Sequence, residues 1–535
     1  MQKLLLLGDE AIAQGAIDAG ISGIYAYPGT PSTEITEYVH ASKEASEKGV
    51  IASWAANEKT AMEAAIGMSY AGKRTMVCMK HVGLNVAADP FINAAITGAN
   101  GGMIVVAADD PSMHSSQNEQ DSRFYGKFAL IPILEPSSQQ EAYDMVHYGF
   151  ELSEKFKVPV LLRITTRLAH SRSGVARSAS KEQNEGSLPS DLRQFVLLPA
   201  IARKRYQGLL DTQPAFREES SKTKYNEYID GNDKSLGIIA CGLAYNYLME
   251  NYRNGCPYPV LKIGQYPLPT DMVEKMVDSV DRTLVLEDGY PMVEELLTGL
   301  LGRGLKISGR FDNTVPYAGE LNPNVVARAL GLEDTYGTDA PNLIVGRPPS
   351  MCPGCPHVDS YKDLLEALEP YSNGRVFSDI GCYTLGALPP FEAINSCVDM
   401  GASITMAKGA ADAGLVPAVA VIGDSTFTHS GMTGLLDAVN ANSPITVMIL
   451  DNSTTGMTGG QPSAAFSKVE EICLGIGVEK EHIHVLKPLK KNHEENTAII
   501  KKELEYQGVS VIIPTRECVV TLNRRMQAKF KNKKK

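Results

Sequence analysis

The chain is poor in several features that mark common classes of protein. Aromatic residues make up 7% of its 535 residues, with one tryptophan, and 51 basic residues face 62 acidic ones, for a formal net charge of −11. Nucleic-acid-binding proteins usually carry a basic surface, so this charge argues against that class. No apolar run reaches the ~18 residues of a transmembrane helix, and acidic residues directly follow the short N-terminal leucine run. We therefore expect a cytoplasmic protein.

What the sequence does contain is a long series of short apolar or β-branched runs, separated by segments with helical spacing. These runs include 23–28, 75–79, 102–109, 158–164, 236–242, 258–264, 282–289, 375–381, 419–424, 446–452 and 509–515. Fully apolar strands joined by crossover helices are typical of parallel sheets covered on both faces. They are too many for one comfortable sheet, so the predicted fold is α/β with several parallel-sheet domains.

Two shifts in composition predict domain boundaries. Residues 169–235 are rich in Ser, Lys, Glu, Gln and Asn, and residues 338–356 are rich in proline. The predicted organisation is a domain over 1–195, a linker over 196–234, a domain over 235–340 and a domain over 345–535. The last domain ends in a basic tail, 529–535, which we interpret as a solvated end rather than a binding arm.

Polar residues follow two apolar runs in the last predicted domain. Gly-Asp-Ser occupies 423–425 and Asp-Asn occupies 451–452. Ligands of open α/β sheets bind at the carboxyl ends of strands, and Mg²⁺ combines protein oxygens with those of a phosphate. Either motif alone is better explained by a helix cap or a turn. Together, at this spacing, they resemble the thiamine diphosphate fingerprint, with Asp424 and Asn452 as magnesium ligands.

A thiamine diphosphate site needs a second half from another domain. Its chemistry requires a carboxylate on the pyrimidine ring nitrogen, shielded from water. Glu58 follows an apolar run and opens an alanine-rich helix, which makes it the candidate. The alternative is an ordinary first-turn glutamate favoured by the helix dipole.

Four of the nine cysteines lie near predicted strand ends or in loops. Cys352 and Cys355 form Cys-Pro-Gly-Cys, Cys382 follows one predicted strand, and Cys518 follows the last one. Four thiolates are the ligand set of a 4Fe–4S cluster. A four-thiolate zinc site and unligated thiols remain alternatives, because the spacing excludes neither.

Segments spread over most of the chain resemble one family. They are YPGTPSTEI (27–35), WAANEKTAMEAAIG (54–67), MKHVGLNVAADP (79–90), ADDPSMHSSQNEQDSRFY (108–125), LLRITTRLAHSRSG (161–174), MCPGCPH (351–357), DIGCYTLG (379–386) and GDSTFTHSG (423–431). In order and content they resemble the α subunit of indolepyruvate:ferredoxin oxidoreductase, within the thiamine diphosphate-dependent 2-oxoacid:ferredoxin oxidoreductases.

The resemblance implies a domain order and a reaction. A pyrimidine-binding domain would come first, then a transketolase-C-terminal-like domain, then the diphosphate-binding domain. The implied reaction converts an aryl 2-oxoacid, coenzyme A and oxidised ferredoxin into an acyl-CoA, CO2 and reduced ferredoxin. The implied cofactors are thiamine diphosphate, Mg²⁺ and one 4Fe–4S cluster.

The resemblance also implies residue roles in the N-terminal part. Glu58 would contact the pyrimidine, and Thr30 would hydrogen-bond the substrate or the reacting end of the cofactor. Arg123 would hold the substrate carboxylate, for which a planar bidentate cation is suited, although it could also be a surface arginine. His81 and His429 lie in matching motifs and are equally well explained as proton-transfer groups or packed histidines.

In the C-terminal part, the resemblance adds the backbone carbonyl of Thr454 to the magnesium ligands. Residues expected to line the diphosphate and the cofactor are Gly381, Cys382, Gly423, Ser425 and Thr458. Related members hold a cluster near the cofactor with a Cys-x-x-Cys, a Gly-Cys and a late Cys, the order of Cys352, Cys355, Cys382 and Cys518 here.

Family α subunits usually continue into a ferredoxin-like domain with two Cys-x-x-Cys-x-x-Cys-x-x-x-Cys-Pro runs, and the sequence to Lys535 has none. Electrons are therefore expected to leave for a separate ferredoxin or other acceptor. The expected partner is a small β subunit of about 200 residues, within the size range of one domain, in an α2β2 heterotetramer. Two alternatives remain: a non-oxidative thiamine diphosphate-dependent decarboxylase or carboligase, and a scaffold subunit with a vestigial site.

Overall fold

The computed structural model describes residues 3–191, 193–302, 304–334, 337–338, 341–346 and 349–532, with side chains to residue 529. The chain divides into two compact units, Met1–Asp339 and Ala340–Lys535. Part of the proline-rich segment 338–356 and the last three residues of the basic tail lie outside the described residues. Within the described part, no helix combines the length and the apolar character needed to span a bilayer.

The larger sheet of the first unit has seven strands. In spatial order they are β12 (Gln265–Tyr266), β6 (Ile133–Leu134), β7 (Val160–Thr165), β5 (Met103–Asp109), β4 (Thr75–Lys80), β2 (Gly23–Ala26) and β3 (Ile51–Trp54). All neighbours are parallel except β12, which pairs antiparallel with β6 at the edge. The central strands β4, β5 and β7 are buried along their whole length, as expected for a parallel sheet covered on both faces.

A second sheet in this unit has five strands, and a third has two. The five are β14 (Ile307–Ser308), β13 (Thr283–Leu286), β10 (Gly237–Cys241), β11 (Val260–Ile263) and β9 (Glu227–Ile229). They are parallel except for β9, an antiparallel edge strand. The two-stranded sheet pairs β1 (Lys3–Leu7) antiparallel with β8 (Arg172–Ala176).

Fourteen α-helices are described in the first unit. They are α1 (Gly8–Asp18), α2 (Thr33–Ala41), α3 (Lys43–Glu47), α4 (Glu58–Tyr70), α5 (His81–Val86), α6 (Ala88–Thr97), α7 (Arg123–Ala129), α8 (Gln139–Phe156), α9 (Thr166–His170), α10 (Pro199–Lys222), α11 (Ala244–Asn251), α12 (Thr270–Asp278), α13 (Met292–Thr298) and α14 (Pro323–Ala329).

The predicted linker 196–234 differs from the structure. It contains the 24-residue helix α10 and the strand β9. Phe216 of α10 is buried in one hydrophobic cluster with Val77 of the seven-stranded sheet and Ile239 of the five-stranded sheet. The polar composition of this segment reflects a surface helix with one narrow buried face, so composition alone resembled a linker.

The second unit is built on a six-stranded sheet whose neighbouring strands are parallel where their registers are given. In spatial order the strands are β16 (Ser396–Cys397), β15 (Val376–Ser378), β17 (Ala418–Gly423), β18 (Ile445–Leu450), β22 (Val509–Pro514) and β21 (Ile483–Leu486). A small hairpin pairs β19 (Thr454–Thr455) with β20 (Gln461–Pro462).

The helices described in the second unit are α15 (Pro356–Leu368), α16 (Ala402–Asp412), α17 (Asp424–Thr426), α18 (Met432–Asn440), α19 (Val469–Ile476), α20 (His493–Leu504) and α21 (Val519–Asn532). A π-helical turn, Phe427–Gly431, joins α17 to α18. Three short 3-10 segments are Cys382–Ala387, Lys480–His482 and Lys490–Asn492.

The prediction of several parallel α/β sheets is confirmed. Because neighbouring parallel strands end at the same edge, the acidic residues that follow them gather there. Asp379 follows β15, Asp424 follows β17 and Asp451 follows β18. This edge of the second unit is where an open α/β sheet binds ligands.

Candidate active site

Asp424 lies at the carboxyl end of β17 with its side chain almost fully buried. Its Oδ2 atom is buried and has no hydrogen-bond partner among the described residues. Burial, and after it the charge of Asp451, raises the pKa of Asp424 to about 7. Two adjacent buried carboxyl groups are costly unless a proton or a cation compensates them, and a divalent cation would supply that compensation. The surroundings of Asp424 therefore fit its predicted role as a magnesium ligand.

Asn452 is held in a defined orientation by two neighbours. Its Nδ2 donates to Nε2 of His357 at 3.1 Å, and its Oδ1 accepts from the backbone N–H of Thr454 at 3.1 Å. Burial lowers the pKa of His357 to about 4, so the ring is neutral and its Nε2 can accept. The Asn452 amide oxygen keeps one lone pair for a metal. His357 was not predicted; its position directly after Cys-Pro-Gly-Cys-Pro was the available signal.

Two glycines at this edge make room for one aromatic ring. A Cβ atom at Gly423 would lie 2.6 Å from Cε1 of Tyr383, and one at Gly381 would clash with the same ring. The Tyr383 hydroxyl donates to Asp379. Both glycines, predicted to line the cofactor, are therefore required by packing of Tyr383 at the strand edge.

Two predicted hydroxyls, Ser425 and Thr458, belong to a hydrogen-bonded loop beside Asp424. The Ser425 hydroxyl lies 2.8 Å from that of Thr455, which joins the end of β17 to β19. Thr458 donates to Oε1 of Gln461 at 2.7 Å. These bonds order the loop 452–461, here called the candidate metal loop. The contact of either hydroxyl with a diphosphate stays a prediction.

The four cysteines selected from the sequence, here called the thiol group, lie beside this loop. Cys355 donates its backbone N–H to the carbonyl of Cys352 at 3.0 Å, and Cys518 donates to the carbonyl of Asn452 at 3.2 Å. A Cβ atom on Gly456 would lie 3.0 Å from the sulfur of Cys382. All nine cysteines of the chain are free. The candidate metal loop and the thiol group are thus in direct contact.

The members of the thiol group also act on one another electrostatically. Burial, followed by the thiols of Cys355, Cys518 and Cys352, raises the pKa of Cys382 to about 12. Burial raises the pKa of Cys355 as well. A bound metal removes this penalty because it stabilises thiolates. The chain therefore brings four thiols within electrostatic reach of one another at a site suited to a cationic centre.

In the first unit, Glu58 is the first residue of α4 and is 5% exposed. The helix starts here because the Asn57 side chain accepts from the backbone N–H of Thr60 at 2.9 Å. Gly83 of α5 packs against the Glu58 side chain, since a Cβ on Gly83 would lie 2.5 Å from Oε1 and 2.7 Å from Cγ. Glu58 is thus a shielded carboxylate in a packed setting, as its predicted role requires.

Thr30 lies in the loop between β2 and α2, partly exposed. The loop is braced by a bond from the Gly29 N–H to Thr33 Oγ1 at 2.9 Å. Lys80, at the end of β4, packs its stem against Gly29, where a Cβ would lie 3.2 Å from that of Lys80. Burial lowers the pKa of Lys80 to about 8, opposed by Asp110. Sequence analysis did not select Lys80 as a site residue, although it lies in the segment 79–90 on which the resemblance rests. The available signal was a lysine at the end of an apolar strand.

The two histidines differ in their surroundings. His81 is 1% exposed, and its ring nitrogens face the carbonyls of Ala108 at 3.4 Å and Asn118 at 3.2 Å. This arrangement favours a packed, hydrogen-bonded histidine over a proton-transfer group. His429 is buried in the π-helical turn, with Nδ1 2.5 Å from the Ser430 hydroxyl.

Arg123 does not fit the predicted role of a substrate arginine. Its side chain is fully buried, with Nη2 2.5 Å from Asp121 and Nη1 3.0 Å from Glu287. Nη1 also donates to the Tyr266 hydroxyl at 3.2 Å. It is not a surface arginine either, because these groups hold the guanidinium inside an ion network. Asp121, two residues earlier in the sequence, forms an ion pair with this guanidinium, which is therefore already occupied by a carboxylate of the chain itself.

Two family models match separate parts of the chain. Residues 14–202 match the model described as pyruvate flavodoxin/ferredoxin oxidoreductase, thiamine diP-binding. Residues 379–513 match the model described as thiamine pyrophosphate enzyme, C-terminal TPP binding domain. The first range includes Glu58 and Lys80, and the second includes Cys382, Asp424 and Asn452.

Similar proteins span nearly the whole chain. The indolepyruvate oxidoreductase subunit IorA of Methanothermobacter thermautotrophicus is 39% identical, over 97% of this chain and 87% of its own length. That of Archaeoglobus fulgidus is 40% identical, over 98% of this chain and 88% of its own length. The 2-oxoglutarate synthase subunit KorA of M. thermautotrophicus is 31% identical, over 32% of this chain and 47% of its own length.

A solved structure has a similar fold. It is the 2-oxoglutarate:ferredoxin oxidoreductase from Magnetococcus marinus with 2-oxoglutarate, coenzyme A and succinyl-CoA bound, with a TM-score of 0.50 and 16% identity. The match covers 62% of this chain and 65% of that chain.

Proposed function

The chain belongs to the family of indolepyruvate oxidoreductase IorA subunits, and from this premise we propose that it is the catalytic α subunit of an indolepyruvate:ferredoxin oxidoreductase. The proposed reaction takes an aryl 2-oxoacid, coenzyme A and two oxidised ferredoxins to arylacetyl-CoA, CO2, a proton and two reduced ferredoxins. Thiamine diphosphate is the cofactor that both matched family models describe.

The contact between the thiol group and the candidate metal loop carries this proposal. A non-oxidative decarboxylase needs no electron acceptor beside its cofactor, whereas an oxidative one does. The sulfur of Cys382 faces Gly456, and Cys518 is hydrogen-bonded to Asn452. The thiol group, in contact with the loop through Cys382 and Cys518, therefore favours the oxidative reaction.

Asp424, Asn452 and the Thr454 carbonyl would hold Mg²⁺ and, through it, the diphosphate. Asp424 Oδ2 has no hydrogen-bond partner in the part of the chain that the structure describes, and the pKa of Asp424 is raised to about 7. Both observations support this assignment. Thiamine diphosphate, when bound, supplies the nucleophilic carbon that attacks the 2-oxo group and the electron sink for decarboxylation. Glu58 would hold the proton on the pyrimidine nitrogen, sheltered from water by its burial beside Gly83.

The thiol group would hold one 4Fe–4S cluster, which supplies a one-electron acceptor. Burial, and after it the charges of neighbouring thiols, raises the pKa of Cys355 and Cys382, so a metal is needed to hold these two as thiolates. Four cysteines are the donor set that such clusters use. Electrons would pass from there to ferredoxin. The name "subunit" of the similar proteins supports a partner chain, which we propose is a small β subunit of about 200 residues in an α2β2 assembly.

Lys80, rather than Arg123, would bind the carboxylate of the 2-oxoacid substrate. It is a buried cation whose stem packs on Gly29, next to Thr30. Its ammonium donates to the carbonyl of Ser115, and this bond can be exchanged for one to a 2-oxoacid carboxylate. Thr30 would then contact the same substrate from the neighbouring loop.

The pH dependence of kcat/KM tests the role of Lys80. The folded pKa of Lys80, about 8, lies below the ordinary value for lysine, so the side chain is cationic below pH 8 and neutral above it. We expect kcat/KM for the 2-oxoacid to fall by about tenfold per pH unit above 8, because only the cation attracts the carboxylate. The Lys80→Arg variant keeps its charge and should lose this fall; a fall of equal steepness in that variant contradicts the assignment.

The proposed reaction is tested with the assembled protein, purified anaerobically and given indolepyruvate. Arylacetyl-CoA and reduced ferredoxin should form together, and only when coenzyme A and oxidised ferredoxin are both supplied. The readouts are chromatography of the thioester and absorbance of the acceptor. Formation of an aldehyde or a carboligation product at the full rate without either co-substrate would instead identify a non-oxidative enzyme.

A further inference from the structure

Three ionisable side chains outside the residues assigned above converge in the first unit. Asp9 lies in the first turn of α1, Glu34 in the first turn of α2, and His170 at the end of α9. One ligand atom from each lies within 4.8 Å of the other two. Two carboxylate oxygens and one imidazole nitrogen therefore point toward a common space.

Asp9 is the most unusual member of this group. It is 0% exposed, and neither of its carboxylate oxygens has a hydrogen-bond partner among the described residues. Burial, then the charges of Glu34 and Glu10, raises its pKa well above the usual range. An unpartnered buried carboxylate strongly destabilises the folded state. Asp9 must therefore be compensated either by a proton or by a cation.

Glu34 and His170 form a long ion pair, and this interaction lowers the pKa of Glu34 and raises the pKa of His170. Nε2 of His170 lies 3.7 Å from Oε1 of Glu34, beyond hydrogen-bond distance. The Oε2 atom of Glu34 is buried and has no hydrogen-bond partner among the described residues. The His170 side chain is 35% exposed, which gives solvent and ions access to the group.

We propose that Asp9, Glu34 and His170 bind one divalent transition-metal ion, with water completing its coordination. The ion would neutralise both carboxylates and coordinate one oxygen of each, together with the imidazole nitrogen. Mixed carboxylate and imidazole ligands suit Mn²⁺ or Zn²⁺ better than Mg²⁺, which prefers oxygen alone.

Such an ion would join three helices near a loop assigned to the substrate. α2 begins at Thr33, and Thr33 Oγ1 accepts from Gly29 in the loop that carries Thr30. Fixing α2 to α1 and α9 would therefore also fix one end of this loop. The expected role is structural, because His170 and Glu34 belong to the ends of different helices.

Mn²⁺ binding to the assembled, chelator-washed protein tests the proposal, with saturating Mg²⁺ and thiamine diphosphate present to fill the other site. Free Mn²⁺ is counted by electron paramagnetic resonance. The wild type should bind one more Mn²⁺ per chain than Asp9→Asn, and His170→Ala should weaken this binding at least about tenfold. The melting temperature of the wild type, but not of Asp9→Asn, should rise with Mn²⁺.

The matched control is Glu10→Gln, which removes an equal charge from the same helical turn. Glu10 accepts from the backbone N–H of Leu7 at 2.8 Å and is not one of the converging residues. It should keep the additional Mn²⁺. Equal Mn²⁺ binding by the wild type and Asp9→Asn would overturn the proposal. If, in addition, Asp9→Asn were more stable than the wild type, Asp9 would be identified as a buried neutral acid.

Discussion

Replacing Glu58 by glutamine is expected to lower kcat by about 10²- to 10⁴-fold while thiamine diphosphate still binds. Glutamine has nearly the shape of glutamate, so the packing around this buried position persists, but it cannot hold the proton that the pyrimidine nitrogen needs. Binding can be followed by fluorescence, because Trp54 is the single tryptophan of the chain and ends β3, four residues before Glu58.

Two glycine variants separate the position of this carboxylate from its chemistry. In Gly83→Ala the new methyl group would meet Oε1 and Cγ of Glu58, so the side chain must shift, with an expected loss of about 10²-fold. In Gly67→Ala on α4, no atom of the described residues outside the helix's own backbone lies within 4 Å of the new Cβ, so activity should stay unchanged. Full activity in Glu58→Gln, or equal losses in both glycine variants, would refute the assigned role of Glu58.

Replacing Cys382 by serine is expected to lower the iron content at least about tenfold and to abolish acceptor-dependent turnover. Serine is a poor ligand for the cluster. Cys382 contacts the loop at Gly456 and acts electrostatically on the other three thiols. Decarboxylation without oxidation should persist, so the product should change from the thioester to the aldehyde. Iron analysis and product chromatography measure both effects.

Cys397→Ser is the matched control for this experiment. Cys397 lies in β16, at the edge of the six-stranded sheet of the second unit. Its thiol donates only a weak hydrogen bond, to the carbonyl of Asp379 at 3.8 Å. It should retain iron, visible colour and activity. Wild-type protein that contains zinc instead of iron, or a Cys382→Ser variant with full iron content, would refute the proposed electron path.

The second unit was largely predictable from its sequence. Asp424 and Asn452 each follow a fully apolar run, and parallel strands must bring their carboxyl ends to one edge, so local sequence was enough to place them together. The thiol group was selected by spacing and resemblance. The folded chain was needed to show that its members interact electrostatically and that Cys382 contacts the candidate metal loop at Gly456.

The first unit was harder to predict because its site depends on contacts between distant segments. Arg123 stood in a suggestive motif, yet Glu287 and Tyr266, more than a hundred residues later, help to hold its guanidinium. The role proposed for Lys80 rests on the packing of its stem against Gly29, which the sequence alone did not show. α10 was mistaken for a linker because a helix with one narrow buried face has the composition of a loop.

Local periodicity and motif order were enough to establish the parallel α/β class, the strand ends that carry Asp424 and Asn452, and the family. Which charged groups are compensated became clear from the folded chain. Burial and pairing are set by segments far apart in the chain. They enclose Arg123 with carboxylates, whereas Asp9 has no hydrogen-bond partner among the described residues. The free energy of a buried charge depends on those neighbours, which no short stretch of sequence contains.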